Sequence, residues 1–187
     1  MAQKTAEKYR GKIAETYEAQ RAGQVKWEAE HRIVKEILAA LPAGTTLLDI
    51  PVGTGRFLRL YDELGISAVG MDVSADMMSR APRRTKTPLR AGNIFAIDLP
   101  DKSVDVALSI RIMNLMDADD MVKALRELQR VARSKIVFNL RAWVPNSKYR
   151  RPQKIETVER ALQPGWSIAV NRPIHQDDFR MFMLCAG

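Results

Sequence analysis

One segment constrains the fold of this chain more than any other: TTLLDIPVGTGRF, residues 45–57. An apolar run ends at Asp49, a turn containing Gly53 and Gly55 follows, and an amphipathic segment begins at Phe57. This order predicts a strand, a tight turn and a helix, because glycine accepts positive φ values and lets backbone approach a ligand. The free N–H groups at the start of such a helix point towards whatever lies on the turn. The segment therefore predicts a nucleotide-like ligand at the carboxyl end of the first strand.

Two common nucleotide-binding motifs do not fit this turn. The dinucleotide fingerprint G-x-G-x-x-G needs a third glycine where the chain has Leu58, and the phosphate-binding motif G-x-x-x-x-G-K-[ST] is absent. The spacing that fits is D-x-x-x-G-x-G, from Asp49 to Gly55. It resembles motif I, [DE]-x-G-x-G-x-G, of the class I S-adenosylmethionine (SAM)-dependent methyltransferases. Pro51 replaces the first glycine of that motif, and proline still suits a fixed φ in a turn.

Two later segments extend the resemblance in the expected order. VGMDVSADMMSRA resembles the family's second motif and places Asp72 at the end of the second predicted strand. AGNIFAIDLPDKSVDVALS resembles the next block, with Asn93 at the position that is commonly acidic. The resemblance covers residues 45–187. It implies a Rossmann-like α/β three-layer sandwich, with a mostly parallel seven-stranded sheet and a C-terminal antiparallel hairpin.

The periodicity of the remaining chain predicts elements that agree with that fold. Ser74 is expected to cap a short helix, Gly65 to end one, and Asp117 to cap a long one. The predicted strands are 67–71, 88–92, 104–110, 136–138, 167–172 and 179–185, and the predicted helices include 75–80 and 153–162.

The resemblance implies SAM as the cofactor and S-adenosylhomocysteine (SAH) as its product. An acidic residue at the end of the second strand accepts hydrogen bonds from the ribose hydroxyls, which is the role predicted for Asp72. The amide of Asn93 is expected to pair with adenine through its carbonyl oxygen. Asp49 is expected to order the turn or to reach the amine of the ligand. The predicted cofactor-binding residues are Tyr17, Arg21, Asp49, Pro51, Gly53, Gly55, Asp72, Val73, Asn93, Ile94, Ser109 and Arg111.

A prefix of 44 residues precedes this domain, and we divide the chain into a helical prefix, 1–44, and a SAM-binding domain, 45–187. The prefix is rich in Ala, Glu, Lys and Arg, and Gly23 is expected to separate two helices. It either packs against the sheet or forms a lid over the ligand, and the two interpretations are compatible. Tyr9 and Tyr17 are eight positions apart and can share one helix face, so one of them is expected near the sulfonium or near the methionyl carboxylate. Arg21 or Lys26 is expected to pair with the methionyl carboxylate.

In methyl transfer from SAM, the main task of the protein is to position the two reactants. The methyl group of SAM is already activated, so the acceptor must mainly be held in line with it. A general base is needed only when the acceptor is protonated. Arg111 and Asn114, after the fourth strand, and His175 are the predicted catalytic residues, although an exposed loop histidine is the alternative for His175. His31, His175 and Cys185 do not make a metal-ligand set, and no metal is predicted.

Composition limits the class of protein. The 187 residues are 46% hydrophobic, which fits an ordinary globular chain. No apolar run reaches the roughly 18 residues of a membrane span, and the N-terminus lacks a signal region. The single cysteine, Cys185, excludes an internal disulfide and favours a cytoplasmic location. The net charge of +8 favours an anionic partner.

The acceptor is not defined by these features. Basic residues with Trp143 and Tyr149 occur in residues 141–154, which suits nucleic acid or another anion as well as a solvated positive face. The nucleic-acid motif [DNS]-P-P-[YFW] and a Pro-Cys nucleophile are absent. We therefore predict methyl transfer by in-line displacement to an O or N atom of a small-molecule acceptor. The alternatives are a SAM-cleaving enzyme or inactive partner subunit, and an RNA or DNA methyltransferase.

Overall fold

The computed structural model consists of two units, Met1–Asn93 and Ile94–Gly187. It describes residues 7, 9–145, 152–175 and 178–187. The predicted division between residues 44 and 45 lies inside the first unit and stays a prediction.

In the residues that the structure describes, the first unit contains two prefix helices and three parallel strands. The break predicted at Gly23 is confirmed, with φ at 75°. Gly65 ends a helix in the left-handed conformation, with φ at 66°, and the Ser74 hydroxyl accepts from Met77 N at 3.3 Å, as predicted. The elements are α1 (Lys12–Thr16), α2 (Val25–Ala39), β1 (Thr46–Asp49), α3 (Leu58–Leu64), β2 (Ser67–Asp72), α4 (Ala75–Met78) and β3 (Leu89–Ala91).

The second unit contains two parallel strands and the C-terminal hairpin. Asp117 caps the long helix by accepting from Asp120 N at 2.9 Å, as predicted. The fifth strand begins at Ala132, earlier than predicted, because its first half carries polar residues that do not read as a buried strand. A 3₁₀ turn at Met113–Leu115 was not predicted. The other elements are β4 (Val104–Ser109), α5 (Ala118–Val131), β5 (Ala132–Arg141), α6 (Ile155–Ala161), β6 (Trp166–Pro173) and β7 (Phe179–Ala186).

The seven strands form one mixed sheet in the order β3-β2-β1-β4-β5-β7-β6. The β1–β2, β2–β3 and β4–β5 pairs are parallel, and β7 is antiparallel to both β5 and β6. The inner strands are buried, as expected for parallel strands. The predicted fold class, including the antiparallel hairpin, is confirmed. Within the described residues, no helix has the length and apolar character needed to cross a membrane.

Candidate functional site

The turn after β1 has the backbone that its glycines predict. Gly53 and Gly55 have φ values of 56° and 74°, in the left-handed region that favours glycine. Val52 N donates to Met71 O at 2.8 Å, and Gly55 N donates to Val52 O at 3.0 Å. These bonds hold the turn against the end of β2. The Ile50–Pro51 peptide bond is cis.

Asp72 links this turn to the turn after β2. Its Oδ2 accepts from Gly53 N at 2.8 Å, and its Oδ1 accepts from Ser74 N at 2.8 Å. Burial raises the pKa of Asp72, while the N–H groups of Ser74, Gly53 and Val73 act in the opposite direction. A carboxylate offers about four lone-pair sites, so both oxygens keep the capacity to accept further hydrogen bonds. The carboxylate is therefore fixed in place and remains able to accept hydroxyl donors.

Asp49 has a different partner. It is 2% exposed, and its Oδ2 accepts from the Tyr61 hydroxyl at 2.8 Å. Burial raises the pKa of Asp49 to about 7, with the Asp72 charge adding to the rise and the Tyr61 hydrogen bond opposing it. Tyr61 lies on α3, so Asp49 connects β1 to the helix after the turn. Asp49 was predicted to lie at the turn, whereas its partner Tyr61 was not predicted.

The two turn glycines differ in the space around them. A Cβ at Gly55 would lie 2.6 Å from Leu58 Cδ1 and 2.9 Å from Ala81 Cβ. A Cβ at Gly53 would meet only Met77 Cε, at an ordinary 3.6 Å. The packing of the protein itself therefore requires glycine at position 55, while position 53 leaves room above the turn.

The prefix is attached to this turn and to the start of α4. The Thr54 hydroxyl donates to Glu18 Oε1, and the Ser74 hydroxyl donates to the backbone oxygen of Tyr9 at 2.8 Å. Gly11 N donates to Asp76 Oδ2 at 2.8 Å. The structure thus brings the chain from Tyr9 to Glu18 against the predicted cofactor-binding turns.

Aromatic rings connect the two prefix helices. Tyr17 makes edge contacts with Tyr9 and Trp27, at centroid distances of 5.9 and 6.3 Å. Arg21 lies over the Tyr17 ring at 3.6 Å and donates from Nη1 to the Tyr17 carbonyl at 2.8 Å. The pairing of Arg21 with a ligand carboxylate stays a prediction, and the contacts described here hold it on Tyr17.

Arg56 fixes α2 to the turn, and the sequence analysis did not identify it. Its Nη1 pairs with Glu30 Oε1 at 2.5 Å, and Nη2 donates to the Trp27 carbonyl at 2.5 Å. The guanidinium carbon lies 3.4 Å from the Trp27 ring centroid. Glu30 is fully buried and lies three residues before Ile33, on the apolar face of α2. A carboxylate on such a face is the sequence signal that could have predicted a buried cation nearby.

The other predicted cofactor-binding residues lie at strand ends. Val73 and Asn93 are half-buried in the first unit, and Ile94 is buried in the second. Ser109, the last residue of β4, is fully buried, and within the described part of the chain its hydroxyl has no hydrogen-bond partner. Arg111 has a φ of 67°, and its N–H donates to Asn139 Oδ1 at 2.8 Å.

The three predicted catalytic residues differ in their contacts with the rest of the second unit. Asn114 Oδ1 accepts from Arg141 N at 2.5 Å, so both Asn114 and Arg111 are tied to β5. Arg141 forms an ion pair with Asp178, a residue that the sequence analysis missed. His175 is exposed in the connection between β6 and β7, and no hydrogen bond in the described residues joins it to either of the other two. The described residues contain no group of three or more His, Cys, Asp or Glu side chains arranged to hold a metal ion.

Comparison with known proteins agrees with this geometry. Residues 48–138 match the family model of a methyltransferase domain. The chain is 31% identical over 102 residues to malonyl-[acyl-carrier protein] O-methyltransferase of Pectobacterium atrosepticum, covering 53% of this chain and 40% of that protein. In general, the chain spans less than half the length of the first curated relatives that it matches.

Solved structures share the whole fold at low sequence identity. Magnesium protoporphyrin IX methyltransferase from Synechocystis, with bound SAH, superposes with a TM-score of 0.80 at 12% identity and covers 99% of both chains. The [4+2]-cyclase SpnF superposes with a TM-score of 0.77 at 14% identity, covering 100% of this chain and 96% of that one. The resemblance in the motifs is confirmed: residues 48–138 match the model of a methyltransferase domain, and the chain has the fold of solved class I SAM-dependent methyltransferases.

Proposed function

We propose that this protein transfers the methyl group of SAM to an O or N atom of a small-molecule acceptor by in-line displacement. The observation that carries the proposal is Asp72, whose carboxylate is fixed by Gly53 N and Ser74 N within the matched domain. A preorganised acceptor at the carboxyl end of β2 is what binding of a ribose requires. SAM supplies the activated methyl group, and the protein supplies position.

The residues present fit this cofactor. Asp72 retains acceptor capacity for the ribose hydroxyls. The backbone at Gly53 suits the methionyl part of the ligand: chain neighbours apart, Met77 Cε is the one atom of the described residues within 4 Å of the point where a Cβ would lie.

The names of relatives support a small acceptor without identifying it. The Pectobacterium relative is an O-methyltransferase acting on a malonyl group carried by a protein, and the Synechocystis neighbour is a methyltransferase of a porphyrin. Oxygen is therefore the first acceptor atom to test. The whole-fold match to a [4+2]-cyclase favours a second candidate, a SAM-binding protein that does not transfer the methyl group.

A nucleic-acid acceptor has weaker support. Trp143 is 54% exposed at the start of the basic segment after β5. Lys148, Tyr149, Arg150 and Arg151 lie outside the described residues, so the basic patch rests on the sequence alone. Binding of RNA or DNA that weakens steeply with salt would favour this candidate.

Mass spectrometry with methyl-deuterated SAM tests the proposal. The purified chain is incubated with SAM and a panel of hydroxyl, carboxyl and amine metabolites, and both SAH and labelled products are measured. We expect equal amounts of SAH and labelled product with the true acceptor, and loss of both in Asp72→Asn. Asp62→Asn, a change on α3, is the matched control. SAM turnover without a labelled product would favour the second candidate, and failure of the wild-type chain to bind SAH would contradict both.

A further inference from the structure

A polar cluster lies in the second unit, where β4 and β5 end and β7 begins. Arg141 ends β5 and pairs in the sheet with Phe179, the first residue of β7. Because ligands of open α/β sheets bind at the carboxyl ends of parallel strands, this is an edge where a ligand is expected. We call this group the acceptor-edge cluster; its members are Arg111, Asn114, Asn139, Arg141, Asp178 and Phe179.

An ion pair forms the centre of the acceptor-edge cluster. Arg141 Nη1 lies 3.2 Å from Asp178 Oδ2, and the two side chains are 13% and 9% exposed. The Arg141 guanidinium also lies 4.3 Å from the centroid of the buried Phe179 ring. The backbone oxygen of Asp178 accepts from Ala142 N at 2.6 Å. Asp178 is therefore held in place by its main chain and by one of its two carboxylate oxygens.

The second carboxylate oxygen of Asp178 is Oδ1. Oδ1 is buried, and no hydrogen-bond partner for it lies among the described residues. Leaving such an oxygen unsatisfied costs free energy, and a charged group costs more than a neutral one. A buried, oriented carboxylate oxygen to which none of the described residues donates is accounted for by a ligand that donates to it.

We propose that Asp178 is an acceptor-binding residue, and that its Oδ1 takes a hydrogen bond from an O–H or N–H group of the small molecule that is methylated. This inference rests on the proposed function and deepens it, because it gives the acceptor a required chemical feature. An ionised carboxylate only accepts hydrogen bonds, so an acceptor whose group at this point is an ether or an ester is excluded. Arg141 is the positioning residue that holds the carboxylate.

The charge of the ion pair favours a neutral or cationic donor over an anion at this oxygen. Arg141 already offsets part of the carboxylate charge through Oδ2. A second carboxylate brought to Oδ1 would face like charge at close range, which is unfavourable where water is excluded. Alcohols, phenols and amines fit this oxygen, and carboxylate groups do not.

Ligand-observed NMR with small ring compounds tests this directly. The probes share one ring and differ in one group: benzyl alcohol and benzylamine carry a donor, whereas benzyl methyl ether and toluene carry none, and benzoate carries a charge. Each is titrated against the full chain, with and without saturating SAH. We expect the two donor compounds to bind the wild-type chain about tenfold more tightly than the ether.

Three variants locate the effect: two change the ion pair, and one is a control elsewhere in the unit. Asp178→Asn keeps the size of the side chain but places an amide donor in the cluster, and we expect it to lose the tenfold preference while SAH affinity stays unchanged by calorimetry. Asp105→Asn removes a half-exposed carboxylate paired with Arg133 at 3.1 Å in the same unit, and we expect it to keep the preference. Arg141→Lys is the second variant on the pair, and we expect it to weaken the preference without abolishing it.

The outcomes separate this inference from the proposed function. Equal binding of alcohol and ether to the wild-type chain, tighter binding of benzoate, or a preference that survives in Asp178→Asn would overturn the role of Asp178. The comparison of benzyl alcohol with benzyl methyl ether needs only the wild-type chain. It therefore tests the role of Asp178 even if the variants fail to fold. If the chain did not bind SAH, the proposed function would be contradicted. The role of Asp178 would then be decided by the probe titrations made without SAH.

Discussion

Asp49 and Asp72 end neighbouring strands, and their environments give them separate tasks. Asp72 receives backbone N–H groups on both oxygens, which partly offsets the cost of burying a carboxylate. Asp49 receives only the Tyr61 hydroxyl in the contacts described here, and its pKa rises to about 7. Backbone N–H groups therefore favour the charged form of Asp72 against the effect of burial, whereas the pKa of Asp49, raised to about 7, lies in the physiological range.

We predict that Asp49→Asn makes stability less dependent on pH. A carboxyl whose pKa is raised in the folded state stabilises fully below its ordinary pKa near 3.8, and that stability is lost as pH rises through about 7. The free energy of unfolding of the wild type should therefore fall over this window relative to the variant. Above pH 7 the variant should be more stable by roughly 2–4 kcal/mol, with little difference near pH 4. Urea titrations from pH 4 to 8 measure this, and a gap that does not change with pH would contradict it.

Substitution of Gly53 tests whether the ligand passes close to the backbone of the turn, and substitution of Gly55 does not. Gly53→Ala should fold, because its Cβ meets only Met77 Cε at 3.6 Å and the positive φ costs about 1–2 kcal/mol. We expect its affinity for SAH to fall at least about tenfold if the ligand passes over this backbone. Calorimetry on the folded variant measures this, with thermal denaturation as the stability control. Gly55→Ala should mainly destabilise, and wild-type SAH affinity in Gly53→Ala would remove this turn from the site.

Among the elements of the first unit, the two prefix helices are attached to the rest of the unit by different kinds of contact. α1 is short, and its neighbourhood is joined to the domain by hydrogen bonds from Thr54 and Ser74 and by the exposed Glu15–Arg80 pair. α2 is joined through the buried Arg56–Glu30 pair. The exposed pair contributes little, so α1 is attached mainly by hydrogen bonds and α2 by a buried ion pair. The two prefix helices therefore differ in how they are attached.

We predict that SAH protects the prefix between Tyr9 and Trp27 from hydrogen exchange, together with Gly53–Gly55. A lid ordered over the ligand loses local opening motions, which slows exchange of its amides. Glu18→Gln should reduce this protection, because Glu18 contacts Thr54 in the turn itself. Glu15→Gln is the matched control in the same prefix, since its partner Arg80 is about half exposed. Protection confined to the turn would mean that the prefix only packs on the domain.

For the whole molecule, ligand binding and stability are linked. A ligand that binds only the folded chain raises the free energy of unfolding by about 2.7 kcal/mol at a hundred times its dissociation constant. For a chain of this length we expect SAH at that concentration to raise the melting temperature by roughly 5–10 °C. Differential scanning calorimetry measures the shift, and Asp72→Asn should reduce it. An unchanged melting temperature at saturating SAH would count against the assigned cofactor.

The sequence by itself determined the features that depend on neighbouring residues. The glycine turn, the cap at Ser74, the strand ending at Asp72 and the order of strands and helices follow from local spacing and periodicity, which the backbone obeys wherever the segment lies. The motif resemblance then identified the fold, because these local features recur in the same order throughout the family.

Only the tertiary structure decided which distant side chains meet. Arg56 and Glu30 are 26 positions apart, and Arg141 and Asp178 are 37 apart. Neither pair has a local pattern, because an ion pair needs only that two charges be close in space. The role of Asp72 in holding Gly53, 19 positions away, was hidden for the same reason. The sequence predicted the edge where a ligand should bind, and only the folded chain brought to the end of β5 a carboxylate oxygen that no described residue satisfies.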